Sequence, residues 1–85
     1  MRVAVLYVLA DFQVCHQMFD ELREYEIEIE LVDLSVRADE ALEQNVREAP
    51  TLIIRDWEEE VFRIEGYTEI NMKLLEEFLE EYPNE

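Results

Sequence analysis

The sequence predicts an α/β protein: a four-stranded mixed sheet of order 2-1-3-4, helices on both faces, and the chain order β-α-β-α-β-β-α. Three observations predict it. Two segments, "VAVLYVL" (Val3 to Leu9) and "TLII" (Thr51 to Ile54), are continuously apolar and rich in β-branched residues, as strands buried on both faces are. Between and after them run segments with apolar residues at steps of three and four, the period of an amphipathic helix. The remaining strand-like segments alternate apolar and acidic residues, which suits sheet edges.

The elements follow in order. Val3 to Leu9 takes a central place in the sheet. In "VCHQMFDELREY", Val14, Met18, Leu22 and Tyr25 form a helical stripe with Cys15 and Phe19 beside it, while Gln17, Asp20, Glu21 and Glu24 face away. "EIEIELVDL" (Glu26 to Leu34) sets Ile27, Ile29 and Leu31 against Glu28 and Glu30, an edge strand. A short helix over "RADEALEQN" is anchored by Ala38, Ala41 and Leu42, with Ser35 or Asp39 as cap. Pro50 precedes the second apolar strand. "WEEE" turns the chain into "VFRIE", giving a hairpin. Gly66 stands just before a last helix that starts near Thr68. That helix carries Leu74, Leu75, Phe78, Leu79 and Tyr82 as its stripe, and Pro83 ends it. Two strands joined through a helix run parallel with a right-handed crossover, and the hairpin then adds antiparallel strands. The first and third strands are the apolar ones and take the centre of the sheet.

Eighty-five residues make one small domain spanning positions 1–85, and 49% hydrophobic residues supply a core. One cysteine excludes an internal disulfide and points to a reducing, cytoplasmic setting. Cys and His are too few for a zinc cluster, and nothing in the residues calls for a cofactor. No run reaches the roughly 20 apolar residues of a membrane helix. The N-terminal apolar run reads as a buried strand rather than a signal peptide.

The charge is the unusual quantity. Seven basic residues stand against 23 acidic ones, a net −16, and Lys73 is the only lysine. Such a field repels nucleic acid. It serves solubility, adaptation to high salt, or the steering of a basic protein partner.

The element order, with "APT" opening the third strand and Gly66 in "EGYTE", resembles the glutaredoxin branch of the thioredoxin fold over essentially the whole chain. The resemblance implies a cis proline at Pro50 and a glycine pair after the fourth strand, of which one glycine is present. It also implies a C-x-x-C motif at the start of the first helix. Counting from Tyr7, and back from the second strand, places that motif on "FQVC". Phe12 then holds the attacking cysteine's place and Cys15 the resolving one, a degenerate active site. A phenyl group offers no nucleophile, and the two-thiol cycle cannot run.

A second alignment follows the thioredoxin run of a strand ending in Asp-Phe before C-x-x-C. With two residues deleted, Cys15 becomes the attacking thiol of a one-thiol disulfide oxidoreductase. His16 and Asp11 then tune its pKa. Against this stand plainer readings: Cys15 as a small core residue, His16 as a solvent-facing one, Asp11 as a cap or turn residue, and Pro50 as a feature of the fold. The family's basic residue for glutathione falls on Leu9 and its acidic one near Thr68 and Glu69, so glutathione is not expected to bind. Backbone at Ala49 remains able to pair with a peptide.

Three functions follow as expectations. The first is a redox-inactive protein-binding module whose contact face is the former redox face: Phe12, Gln13, Ala49, Pro50, Gly66, Tyr67 and Thr68, with Trp57 as a further anchor. The second is the one-thiol oxidoreductase, with Cys15 and His16 as catalytic residues. The third is an assembly subunit using the edge strand Glu26 to Leu34 or the Trp57 hairpin.

Overall fold

A computed structural model describes residues 2–82, and its seven elements follow one another in the expected order. They are β1 (Arg2–Val8), α1 (Gln13–Leu22), β2 (Ile29–Asp33), α2 (Ala38–Glu43), β3 (Thr51–Asp56), β4 (Glu59–Glu65) and α3 (Glu69–Glu81). The sheet order is β2-β1-β3-β4. Strands β1 and β2 are parallel, with Val8 opposite Asp33. The pairs β1–β3 and β3–β4 are antiparallel, with Tyr7 opposite Thr51 and Thr51 opposite Glu65.

The sheet divides the core in two. On one face Ala4, Leu6, Leu52, Ile54 and Ile64 meet Met18 and Leu22 of α1 and Met72 and Leu75 of α3. On the other, Val5, Tyr7, Val32 and Ile53 meet Ala41 of α2 and Val46. The unbroken apolar runs of β1 and β3 follow from this, since alternate side chains enter different cores.

Several boundaries and faces differ from the sequence-based expectation. Helix α1 ends at Leu22 rather than Tyr25. The chain turns there through Arg23 N–H to Phe19 O (3.1 Å) and Tyr25 N–H to Leu22 O (3.1 Å). Tyr25 still reaches the core, from a turn instead of a helix. Strand β2 is shorter than Glu26 to Leu34, and Leu31 is 45% exposed. The alternation misplaced the best-buried residue of this strand: Val32 is 0% exposed, because α2 covers the other face of the edge strand.

Of the three anchors expected for α2, Ala38 and Leu42 are exposed and only Ala41 is buried. Val46, just past the helix, supplies the missing contact. Neither Ser35 nor Asp39 caps the helix. Arg37 holds the N-cap place without a side-chain capping bond, its guanidinium donating instead to Glu40 (2.7 Å), and Ser35 donates its hydroxyl to Asp33 (2.7 Å). The other end of α2 is tied down by Arg63 of β4. Its guanidinium donates to the carbonyls of Gln44 and Asn45, which a helix end leaves without partners of its own.

Strand β3 continues to Asp56 and β4 begins at Glu59, so the expected four-residue turn narrows to Trp57 and Glu58. The pairing skips Val61, since Ile54 faces Phe62 and Arg55 faces Glu60, and a bulge kinks this edge strand. In α3 the buried residues are Met72 and Leu75, with Phe78 and Leu79 half-buried. Leu74 and Tyr82, expected in the stripe, are about half exposed. The inward face runs through 72, 75 and 79, and a residue two positions on from Met72 points roughly the opposite way. Pro83, read as the end of this helix, lies outside the described residues. Among the described residues no helix is long and apolar enough to cross a membrane.

Candidate functional site

The register fixes where the loops gather. The end of β1, the start of β3 and the end of β4 stand side by side, because Tyr7 faces Thr51 and Thr51 faces Glu65. One pole of the sheet therefore carries Phe12 and Gln13, which follow β1, Ala49 and Pro50, which precede β3, and Gly66, Tyr67 and Thr68, which follow β4.

The first loop closes as a tight turn, with Phe12 N–H donating to Leu9 O at 3.0 Å. Asp11 lies within that turn and is not the cap. Phe12 is the N-cap residue of α1, with extended backbone (φ −86°, ψ 112°), no side-chain cap bond and 47% exposure. A phenyl ring cannot accept the first-turn N–H groups, and α1 has no acidic residue in that turn either. Gln13 is exposed beside it.

Cys15 is the third residue of α1, a free thiol only 2% exposed. Its N–H donates to Phe12 O at 3.0 Å, so the two residues of the expected motif bracket the first turn. His16 is exposed, and its Nε2–H donates to the Ala10 carbonyl at 2.7 Å, stapling the loop to the helix. Cys15 and His16 also share a small apolar slot of about 60 Å³ with Val8, Leu9, Ala10, Phe19 and Leu31.

The other two loops of this pole are bonded to each other. The Ala49–Pro50 peptide bond is cis, and Pro50 is buried. The Gly66 N–H donates to Pro50 O at 2.7 Å, and the Thr51 hydroxyl donates to Glu48 O at 2.6 Å. Gly66 has φ +94°, a conformation that side chains rarely adopt. A Cβ there would meet nothing closer than Glu48 Oε2 at 3.7 Å, so the backbone angle and not crowding calls for glycine.

Sequence reasoning missed Asn71. Its Nδ2 donates to both Glu65 O and Gly66 O at 2.9 Å, and its backbone N–H donates to the Thr68 cap at 3.0 Å. The signal was present as Thr-x-x-Asn at a helix start, a relative of the capping box.

Two candidate residues depart from the rest. The Tyr67 hydroxyl donates to Glu21 Oε1 at 2.6 Å, so its ring turns towards α1 and the core. Trp57 lies at the opposite pole. Asp56 faces Arg2, the start of β1, six residues of strand from the Pro50 loop, or about 20 Å. Trp57 is 78% exposed with φ +61°, so it belongs to a separate surface and not to one face with Phe12.

Of the two positions weighed for glutathione, Leu9 is half-buried and Glu69 is exposed in the first turn of α3. Among the described residues no group of three or more His, Cys, Asp or Glu is placed to hold a metal ion.

No family model matches the chain, and no curated protein does. Solved structures do. Thioredoxin 1 from Thermosipho africanus is similar with a TM-score of 0.75 at 23% identity, covering 96% of this chain and 99% of that one. Thioredoxin O2 from Arabidopsis thaliana in its oxidised state gives 0.75 at 20%, covering 93% and 75%. A mutant thioredoxin from Halobacterium salinarum gives 0.75 at 20%, covering 99% and 76%. At these identities the likeness is one of architecture.

Proposed function

With the thioredoxin fold as the premise, we propose that the protein is a redox-inactive protein-binding module that presents the pole built from Phe12, Gln13, Ala49, Pro50, Gly66 and Thr68. The observation that carries this reading is the pairing of an exposed Phe12 at the helix N-cap with a Cys15 sealed one turn inside. Where the fold would present a nucleophile, this chain presents a half-exposed aromatic ring, the kind of group that anchors protein contacts. Backbone at Ala49 offers an extended partner segment a place to pair. The net −16 charge favours a basic partner and no contact with nucleic acid, and the single cysteine suits a reducing cytoplasm.

The test is capture of a partner by the whole chain and by Phe12→Asp. Loss of capture in the variant supports the reading, and unchanged capture refutes it.

The slot that Cys15 shares with His16 favours a second reading, a one-thiol disulfide oxidoreductase. Its test is alkylation of the native protein across pH. A thiolate forming well below the ordinary value of about 8.5 supports it. A thiol that reacts only after unfolding rules it out.

A further inference from the structure

Next to the Phe12 pole, with which it shares Thr68, an open groove of about 570 Å³ lies between the second half of α1 and the first half of α3. Its floor is apolar. Met72 is 7% exposed, and Tyr25 and Tyr67 pack half-buried against the same core. Its rim carries Glu21, Glu69 and Glu76 against Lys73, three carboxylates to one ammonium.

Glu21 is held in place before anything binds, because the Tyr67 hydroxyl occupies its Oε1. The tyrosines register the local field. Burial first, then the charges of Glu21 and Glu76, push Tyr25 above its ordinary value. For Tyr67 the hydrogen bond to Glu21 is the first cause of the same upward shift.

We propose that this groove takes an arginine side chain from a basic protein partner. The excess of carboxylate selects a cation. The apolar floor and the two phenol rings select one with a long stem and a planar head, which lies over Met72 and against a tyrosine face. A guanidinium fork also matches carboxylate oxygens better than a point ammonium does. The site rests on the preceding reading only for the partner's basic character, and Phe12 takes no part in it.

The experiment titrates the isotope-labelled full chain with acetyl-Gly-Arg-Gly-amide and with the same peptide carrying uncharged citrulline, following backbone amide shifts. Saturable shifts centred on Tyr25 and on residues 67–76 are expected with arginine and not with citrulline. Glu21→Gln and Glu76→Gln should each weaken binding about threefold to tenfold. Glu58→Gln combined with Glu59→Gln, at the far hairpin, should change it by less than about twofold.

Absence of binding, equal binding of citrulline, or equal weakening by the hairpin variant would overturn the proposal. The last outcome would mean that a diffuse field does the attracting. Phe12→Ser should leave the arginine titration unchanged, so the groove and the Phe12 pole fail or stand separately.

Discussion

Tyr67 and Glu21 are 46 positions apart and joined by a 2.6 Å hydrogen bond that ties the loop before α3 to the outer half of α1. The bond favours the protonated phenol, and Tyr67 titrates above its ordinary value of 10.0, first because of Glu21 and then through burial. Tyr25 and Tyr7 are raised as well, burial being the first cause in each. Folded pKa values above the unfolded ones stabilise the fold fully below about pH 10, and that contribution disappears as pH rises through the folded values. Ultraviolet titration should show phenolate forming later in the native chain than in urea. Glu21→Gln should bring Tyr67, and to a lesser extent Tyr25, back towards 10.0. Superimposable native and unfolded titrations would contradict the assignment.

Acid acts on a different contact. Arg63 donates to Glu60 at 3.0 Å, and this bond holds the Glu60 carboxyl below the usual range. The stabilisation is present above the unfolded carboxyl pKa and is lost as pH falls through the lower folded value. Arg63→Met also strips two carbonyls at the end of α2 of a donor, and should destabilise by about 1–3 kcal/mol at neutral pH. Urea denaturation should show that the variant is less sensitive than the parent to acid in this window.

Of two leucines expected in the core, one is there and the other is not. Leu52 is 0% exposed on central strand β3, and Leu42 is 72% exposed on α2. Leu52→Ala should cost about 2–5 kcal/mol, and Leu42→Ala no more than about 0.5 kcal/mol. Comparable losses in denaturant midpoint would mean that α2 is packed differently.

Trp57 occupies a left-handed backbone position that a bulky residue adopts at a cost. Its ring is largely exposed, so little packing offsets that cost. Trp57→Gly should leave stability unchanged or raise it by up to about 1 kcal/mol. A marked loss would show that the ring packs on its own hairpin.

The sheet was legible because β1 and β3 carry unbroken apolar runs that only central strands can bury. Element order then left few topologies to choose among. The positions of Phe12 before α1 and Cys15 within its first turn were legible for a similar reason, since an apolar strand precedes them and an amphipathic helix follows. Leu42, Val46 and Val32 were not. The α2 side of the sheet is covered by a six-residue helix and a loop, too short for a period to show. The partnership of Tyr67 with Glu21 was hidden because it depends on how α1 and α3 lie across one face, a relation that no local pattern encodes.

The placement of Trp57 has a practical corollary. It is the chain's single tryptophan, and it sits at the pole remote from Phe12 and Pro50. Intrinsic indole fluorescence is therefore a one-sided reporter. It will stay dark to a ligand seated at the Phe12 pole, and a spectral shift on titration will mean that the ligand has landed on the hairpin.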